Sequence, residues 1–518
     1  KGKYKPEIEL TEINIPGMTD AMKDQAKASM QTSFASSAGG EQCLQGGDKG
    51  DWKEAASGLS KSMGGTCEFE VRKGYPFLKN DEKTTQFAGL SLKDNNLNLE
   101  CDANFNFLNG DFKVLDSSNA LGVIASNFYE NPSEKIKLIG VTGTNGKTTS
   151  VTLMYDLFQL FGAKVGLIST VENKINNEVY VATHTTPDAI ELNELLAKMV
   201  NKGCQYCFME VSSHAVSQKR IAGVHFSGGV FTNISRDHLD YHKTFDGYIS
   251  AKKAFFDVLP EEAFALTNID QEHGETMVQD TKAKVYNYGL NSIADFKAKI
   301  LENRFDGSLL SIDNKEVYTK LIGEFNAYNS LVAYAVGVLL GKEELEVLTM
   351  LSNLTPPEGR FQHFVSETGI IAIVDYAHTS DALENVLKTI KNIRTGNELV
   401  ITVVGCGGDR DKGKRPLMAE VASRLSDQVI FTSDNPRNEN PETIIEEMEA
   451  GVASENYRKT LSVTQRREAI KTACSLARKD DIILIAGKGH EKYQIVNEAV
   501  LPFDDKETVL EILKKMNK

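Results

Sequence analysis

The stretch "KIKLIGVTGTNGKTTSVTLMYDLFQLFG", residues 135–162, narrows the choice of fold more than any other part of the chain. Its first half, KIKLIGV, reads as an apolar strand that ends in a glycine loop. TTSVTLMYDLFQLFG then continues as a helix stopped by Gly162. A strand, a glycine turn and a helix in that order are half of a crossover unit, which needs a parallel sheet to return to. The loop, Gly143-Thr144-Asn145-Gly146-Lys147-Thr148-Thr149, has the lysine and hydroxyls of a phosphate-binding turn. It is a short form, because Val141 stands where the spacing G-x-x-x-x-G-K-[ST] has its first glycine. In this setting backbone N–H groups face the phosphates, Lys147 neutralises the terminal ones and the Thr148 hydroxyl reaches Mg²⁺. The competing reading is a structural turn, in which the lysine and the paired threonines would be wasted.

The rest of the chain extends the pattern. After Gly162 come KVGLIST, the helix AIELNELLAKMVNKG and the strands YCFMEV and GGVFTNI. A second series follows LTPPEGRFQHF: GIIAIVDYA, ALENVLKTIKNI, ELVITVVGC, PLMAEVASRL, QVIFTS, PETIIEEMEAGV, AIKTACSLA and DIILIAGKG. This alternation predicts the α/β class, with open, mostly parallel sheets covered on both faces. A chain of 518 residues is too long for one core. We expect three domains: an atypical α+β region over 1–134, a central phosphate-loop domain over 135–357, and a Rossmann-like C-terminal domain over 358–518. Pro356 and Pro357 make a natural hinge between the last two. The first 110 or so residues differ in texture, and SSAGGEQCLQGGDKGDW reads as loop. There YKPEIELTEINI is expected as a strand and MTDAMKDQAKASMQTSF as an amphipathic helix; SNALGVIASNFYE follows as a helix closed by Pro132-Ser133.

Composition excludes several classes of function. A net charge of −14 argues against nucleic acid as a partner. No apolar run reaches the roughly 20 residues of a membrane span. KGKYKPEIEL lacks the apolar core of a secretory signal, and a chain that starts with lysine suggests a true N-terminus absent or processed. Seven scattered cysteines, an odd number, fit a reducing cytoplasm. Cys204 and Cys207 form a C-x-x-C that runs straight into an apolar strand, so core is preferred to zinc or redox chemistry.

A second concentration of chemistry lies between Glu210 and Lys252. Glu210 ends a buried strand, where a carboxylate needs a cation or a partner. Asp237, His238, Asp240 and His242 lie just beyond the next strand, and five of the nine histidines fall between 184 and 242. Beside a phosphate loop these residues suggest a further Mg²⁺, although hard cations prefer oxygen donors. Caps and core hydrogen bonds are the alternative. Lys252, in GYISAKKAFFD, is on a predicted helix whose Phe255 and Phe256 face the core; most such lysines reach out to solvent.

Nine segments carry a resemblance: GVTGTNGKTT, HTTPD, MEVSSHAVSQKR, FTNISRDHLDYH with AK ten residues later, GEFNAYN, VDYAHTSDAL, GCGGDRDKGKRPLM, DNPR and AGKGHEKYQ, in that order. From about Phe112 to the C-terminus the chain resembles the Mur ligase family, in its branch that extends UDP-MurNAc-L-Ala-D-Glu by a third peptide residue. The resemblance implies that ATP phosphorylates the terminal carboxylate and that an amino acid's amine then attacks the acyl phosphate. It implies ATP contacts at Gly143 to Thr149, Asn329, Arg360 and Asp375, with Tyr376 and His378 beside them. Thr148 would hold one Mg²⁺, and Glu210 and His238 a second. Lys252 matches a lysine carbamylated by CO₂, which turns a cation into a carboxylate-like metal ligand. Lys147, His238 and Lys252 are thus the expected catalytic residues.

The same resemblance places UDP-MurNAc-dipeptide contacts at Thr185, Thr186, Ser212, Gln218 and Arg220; His184 stands where some relatives carry Asn. In the family DNPR accompanies meso-diaminopimelate, and lysine-adding relatives lack its arginine. The chemistry agrees, since meso-diaminopimelate is lysine with a second amino-acid head, whose carboxylate suits the fixed fork of an arginine. Its expected contacts are Arg410, Asp434, Asn435, Pro436, Arg437, Gly487 and Glu491, with Asp434 and Asn435 ending a strand. A helix-entry turn is the competing reading of DNPR. The family's D-S-R, F-V-A and D-G-H segments, which help hold UDP, do not occur before Phe112, so no uridine contact is assigned. A cytoplasmic monomer is expected. A polyglutamate-adding ligase and a non-enzymatic nucleotide-binding scaffold are the alternatives weighed.

Overall fold

The structure, a computed structural model, describes residues 116–518 and, before them, five strand segments. These are β1 (Leu10–Asn14), β2 (Thr85–Phe87), β3 (Leu90–Lys93), β4 (Asn96–Leu99) and β5 (Gly110–Val114). The five make an antiparallel sheet in the order β1-β5-β4-β3-β2, with Phe112 opposite both Ile13 and Leu97. The strand expected in YKPEIELTEINI is β1. The helix expected in MTDAMKDQAKASMQTSF and the loop expected in SSAGGEQCLQGGDKGDW lie outside the described residues.

The chain separates into two compact units, one of residues 1–137, 186–205 and 214–226, the other of 138–185, 206–213 and 227–518. In the first, helix Ser117–Phe128 starts at Asp116, whose carboxylate accepts from the Asn119 N–H. Helix Ala189–Asn201 starts at Asp188, which accepts from Ile190 and Glu191. Ala125 and Ile190 pack where these two helices meet. Gly122 lies against the backbone of Ala222, where an added Cβ would come within 2.6 Å of the carbonyl oxygen.

The second unit contains an eleven-stranded sheet. Its strands are β6 (Lys137–Thr142), β7 (Val165–Ile168), β8 (Glu172–Ile175), β9 (Glu178–Val181), β10 (Tyr206–Glu210) and β11 (Gly228–Phe231). They continue with β12 (Phe264–Asn268), β13 (Lys284–Gly289), β14 (Phe296–Arg304), β15 (Gly307–Ile312) and β16 (Lys315–Thr319). The order is β16-β15-β14-β13-β12-β11-β6-β10-β7-β8-β9. The middle pairs in parallel, and antiparallel strands, β8-β9 and β15-β16, finish the two edges. Helices Lys147–Leu160 and Glu324–Leu339 pack together over this sheet, burying Leu153, Leu157, Phe158, Leu331 and Val336. Each such side chain contributes about 1.5–3 kcal/mol by leaving water.

A six-stranded sheet follows, built from β17 (Gln362–Val365), β18 (Ile371–Asp375), β19 (Val400–Val404), β20 (Gln428–Phe431), β21 (Thr460–Ser462) and β22 (Ile482–Ala486). Its order is β17-β18-β22-β19-β20-β21, parallel except for β17. Alternate residues of β18 face opposite layers. Ile373 packs with Leu383, Met418 and Ile444, while Ala372 and Val374 pack with Ile470, Ala473 and Val509. Both faces are therefore covered, as the alternation of strand and helix requires. A hairpin of β23 (Tyr493–Val496) and β24 (Ala499–Pro502) closes the set. Cys204 and Cys207 are buried, as core. Among the described residues no helix is long and apolar enough to cross a membrane.

Candidate active site

Parallel strands gather their C-terminal loops at one edge of a sheet, and a crevice there is the usual place for a ligand. Here β11 and β10 flank β6. The loop after β6 is the glycine loop. Gly143 and Gly146 have φ of +155° and +85°, and a Cβ at either would fall 1.9 Å from Thr232 Oγ1 or 2.8 Å from Asn329 Oδ1. Only glycine fits these two places. The loop is pinned from β11: Thr144 N donates to the Asn233 carbonyl at 2.9 Å, Asn145 N to Asn233 Oδ1 at 2.9 Å, and Thr232 Oγ1 to the Asn145 carbonyl at 2.7 Å. Asn329 Oδ1 accepts from Ser150 Oγ at 3.2 Å, in the first turn of the loop helix.

Two lysines converge on one carbonyl. Lys147 Nζ donates to the Gly143 and Thr144 oxygens, at 2.9 Å each, and Lys252 Nζ donates to the same Gly143 oxygen at 2.7 Å. Lys252 does not reach solvent; it is 1% exposed, with its amine 4.6 Å from the centre of the Tyr248 ring. Burial pushes the Lys147 amine below its ordinary pKa. Burial, and then the neighbouring Lys147, push that of Lys252 well below. Tyr248 also ties the helix of Lys252 to the loop, through its hydroxyl and Thr144 Oγ1 at 3.1 Å.

Glu210, at the end of β10, is 1% exposed and fully engaged. Its Oε1 accepts from Thr148 Oγ1 and from Thr170 N, both at 2.8 Å, and Oε2 accepts from Thr170 Oγ1 at 3.1 Å. With its proton on Glu210, Thr170 Oγ1 accepts from the Thr185 hydroxyl 3.1 Å away. Arg360 Nη2 donates to Thr148 Oγ1 at 3.1 Å, so the same hydroxyl meets a carboxylate and a guanidinium. His238 has a left-handed backbone, φ 53°, and its Nε2 lies 3.4 Å from Asp237 Oδ2. Burial opposes ionisation of Asp237, but His238, His378 and Lys414 hold it below the usual carboxylate range. His242 Nε2 is 2.9 Å from Ser213 Oγ. The side chain of Asp240 lies outside the described set. Among the described residues no three His, Cys, Asp or Glu side chains form a ready cage for an ion. Thr148 and Glu210 are the hydroxyl and carboxylate that could hold a Mg²⁺, by exchanging their mutual hydrogen bond for an ion that phosphate oxygens and water complete.

Three of the residues expected to bind the dipeptide substrate cluster in the other unit. Arg220 Nε donates to Gln218 Oε1 and Nη1 to the Thr186 carbonyl, at 2.9 Å each. Ser212 lies in the loop after β10, and His184 is exposed, next to Thr183 Oγ1.

Asp375, at the end of β18, is buried and accepts from Phe361 N at 2.6 Å and Ala377 N at 2.7 Å. Burial raises its pKa to about 6, against the pull of Arg360 and the two N–H groups. Arg360 lies over the Tyr376 ring, 4.5 Å from its centre, and Tyr376 also contacts His378 and His490.

The residues expected to bind the diamino acid assemble around two further loops. β20 stops at Phe431, so Asp434 and Asn435 sit in the loop beyond it rather than at the strand's end. Asn435 Nδ2 donates to Glu491 Oε2 at 2.8 Å, and Gly487, φ +116°, admits no Cβ because Asp434 Oδ2 would be 2.6 Å from it. Pro436 is buried. Arg437 has φ 50°, bonds the hairpin through the Ile495 carbonyl at 3.1 Å, and sends Nη1 to the Gly408 oxygen at 2.8 Å. Arg410 is exposed on the neighbouring loop. That loop is fixed to the Arg437 loop by the buried Arg415, which donates to Glu439 at 2.8 and 3.0 Å.

Sequence reasoning missed several members of these clusters. Thr170 and Tyr248 had no motif to mark them, and Asp381, whose Oδ2 accepts from Asn145 Nδ2 at 2.9 Å, lies in VDYAHTSDAL but was assigned no role. Lys488 did have a signal, as the lysine between two glycines of AGKGHEKYQ.

The chain is similar to known proteins across most of its length. A model of the Mur ligase middle domain matches residues 141–337, and one of the Mur ligase glutamate ligase domain matches residues 359–489. A UDP-N-acetylmuramoyl-L-alanyl-D-glutamate–2,6-diaminopimelate ligase of Cytophaga hutchinsonii is 57% identical over 406 residues, 78% of this chain and 83% of that protein. Its counterpart in Bacteroides fragilis is 56% identical over 400 residues, 77% and 82% of the two chains. A solved structure of a ligase with that name is 32% identical, with a TM-score of 0.56 over 77% of this chain and 84% of its own. A folylpolyglutamate synthase from Mycobacterium tuberculosis, 18% identical, shares the fold with a TM-score of 0.58, covering 71% and 92% of the two chains.

Proposed function

The chain belongs to the Mur ligase family, and from that premise we propose how its residues join meso-diaminopimelate to UDP-MurNAc-L-Ala-D-Glu in peptidoglycan precursor synthesis. It is an ATP-dependent acid–amino-acid ligase. A carboxylate is a poor electrophile, so the substrate's carboxylate oxygen first attacks the terminal phosphorus of ATP and ADP leaves. The diamino acid's amine then attacks the acyl carbon, the C–N bond forms, and phosphate leaves with the electron pair of the broken C–O bond.

The observation that carries this reading is the Gly143 carbonyl shared by the half-buried Lys147 and the buried Lys252, beside Thr148 and Glu210. Loop N–H groups from Gly143 to Thr149 bind the triphosphate, and Lys147 leaves its carbonyl partners for the terminal phosphate. Thr148 would hold one Mg²⁺, and Glu210 and His238 a second; the ions would offset phosphate charge and orient the transferred group. Lys252, disposed to be neutral, would add its amine nitrogen to CO₂ and lose a proton, and the resulting carbamate would be a further, carboxylate-like metal ligand. Asn329, Arg360 and Asp375 position the nucleotide. Thr185, Thr186, Ser212, Gln218 and Arg220 supply donors for the UDP-MurNAc-dipeptide. For the diamino acid, Arg410 and Arg437 meet the distal carboxylate, and Asp434, Asn435 and Glu491 meet the ammonium beside Pro436 and Gly487. The ligase acts as a cytoplasmic monomer whose central and C-terminal parts close near Pro356–Gly359.

The test is ADP release that requires both UDP-MurNAc-L-Ala-D-Glu and meso-diaminopimelate, in bicarbonate buffer, with the product's mass measured. Nucleotide cleaved between the α and β phosphorus atoms, or no new amide, would overturn the reading.

A further inference from the structure

We propose that Lys488 is a positioning residue for the incoming diamino acid, holding Glu491 and Asn435 in the one arrangement that receives a substrate ammonium. The proposal rests on the ligase reading above and adds to it a residue that never touches the substrate.

Lys488 is 0% exposed, although most lysines reach solvent. Its backbone is locked between Gly487 and Gly489, with φ of +116° and +52°. A Cβ at Gly489 would lie 2.7 Å from the Gly359 oxygen and from Tyr376 Cβ. That tight passage turns the lysine inward. Its Nζ donates to Glu491 Oε2 at 2.9 Å and to Asn435 Oδ1 at 3.1 Å. Asn435 Oδ1 also accepts from Ile495 N at 2.9 Å, and its Nδ2 donates to the same Glu491 oxygen at 2.8 Å.

These bonds fix the asparagine amide completely. With the oxygen held by two donors, the NH₂ group has to point at Glu491. Lys488 and Asn435 both engage Oε2, so Oε1 is the oxygen left for an incoming ammonium. Without Lys488 the amide could turn over and the carboxylate could swing, and the ammonium would then meet a mobile acceptor. Fold stability alone does not call for a lysine here, since replacing a buried ion pair by apolar side chains is often neutral or stabilising. A few ångströms away, Arg466 and Asp505 already form a buried pair beneath the Ala486 carbonyl, with Arg466 Nη2 to Asp505 Oδ2 at 2.7 Å.

The experiment compares Lys488→Met with the unaltered chain, in steady-state assays that vary each of the three substrates in turn. The KM for meso-diaminopimelate is expected to rise about tenfold, the loss of one hydrogen bond to a charged group. The KM values for ATP and for the UDP-MurNAc-dipeptide should stay within about twofold, because uniform damage would move all three. Lys488→Gln keeps a neutral donor and covers the case in which the methionine variant does not fold; it too should raise the diaminopimelate KM alone. An unchanged diaminopimelate KM in a folded variant, or a parallel rise in all three constants, overturns the proposal. If the unaltered chain itself fails to release ADP in response to diaminopimelate, the ligase reading falls first and carries this one with it. That result is visible before any variant is made.

Discussion

The phosphate loop and the paired loops around Glu491 solve opposite electrostatic problems. At the phosphate loop, the half-buried Lys147 and the buried Lys252 hydrogen-bond carbonyl oxygens, while the carboxylates of Glu210 and Asp237 act on them only at longer range. Around Glu491, Lys488 faces a carboxylate and Arg415 faces Glu439 and Glu447. At the first site the amines hydrogen-bond carbonyls rather than carboxylates, which leaves them able to turn to a triphosphate. The second is already balanced and suits a ligand that carries both signs. The difference teaches that the charge a site leaves uncompensated forecasts the charge of its ligand, and it separates stability from activity in each place.

The largest expected effect is at the loop lysine. Lys147→Met should lower turnover about 10³-fold, the scale of removing one preorganised donor from a charged transition state. It should lower Tm little, because the amine it removes is partly desolvated and hydrogen-bonds only backbone carbonyls, with Glu210 and Asp237 attracting it at longer range. An inactive protein with a clearly lower Tm would break the comparison at its first limb.

Lys252→Met sharpens the same point. Turnover should fall about 10²-fold, while unfolding should become harder by on the order of 1 kcal/mol. The sign follows from the lowered pKa. In CO₂-free buffer the unfolded amine binds its proton more tightly than the native one, so the lysine destabilises the native state below its ordinary pKa and ceases to do so in strong alkali. The methionine variant should therefore gain most at neutral pH and lose that advantage as pH rises past the ordinary lysine value. Labelled bicarbonate gives a readout apart from activity: its carbamate signal should appear in the unaltered chain and be missing from Lys252→Met.

At the balanced site the effect should be on choice rather than on stability or gross rate. Arg437→Ala removes the fixed guanidinium fork and should cut the preference for meso-diaminopimelate over L-lysine by about 10- to 100-fold, the worth of a charged hydrogen-bonded contact. Competition between the two amino acids, read by product mass, measures it directly. Equal use of both by the unaltered chain would mean that the loop does not read the second carboxylate.

The same contrast explains what the sequence allowed one to read. Strands β6, β10, β18, β19, β20 and β22 are almost wholly buried, so they appear as apolar runs and were expected near their observed places. The edge hairpins were not foreseen. β14 alternates buried and exposed residues irregularly, and the β15–β16 turn depends on Asp313 and Asn314 with φ of 46° and 65°, a local signal easily lost among polar neighbours. The glycine loop, Arg437 and Glu491 stood out because their motifs occur in order. Thr170 had no such help: it matters only because β7 and β10 are neighbours, which brings it to Glu210. Lys488 was marked by the glycines on either side of it, but its role waited on its burial and its two partners.

The smallest effect concerns Asp375, which stands between the two sites and belongs to neither pattern. Its carboxylate is pushed up to about 6 by burial, yet it accepts from the N–H groups of Phe361 and Ala377, one on each flanking loop. A folded pKa above the unfolded one means that the native state binds the extra proton first. Protonation as pH falls through about 6 therefore adds stability that is absent at neutral pH, while weakening the two backbone bonds that set the neighbouring loops. The KM for ATP should rise a few-fold as pH drops through that range, with kcat changing less, since the loop next to Phe361 carries Arg360. Asp375→Asn fixes the neutral state and should remove this pH dependence while keeping one oxygen acceptor. If its ATP KM still climbs below pH 6, another group titrates there, and His378, held by burial at about 4, is too low to be the cause.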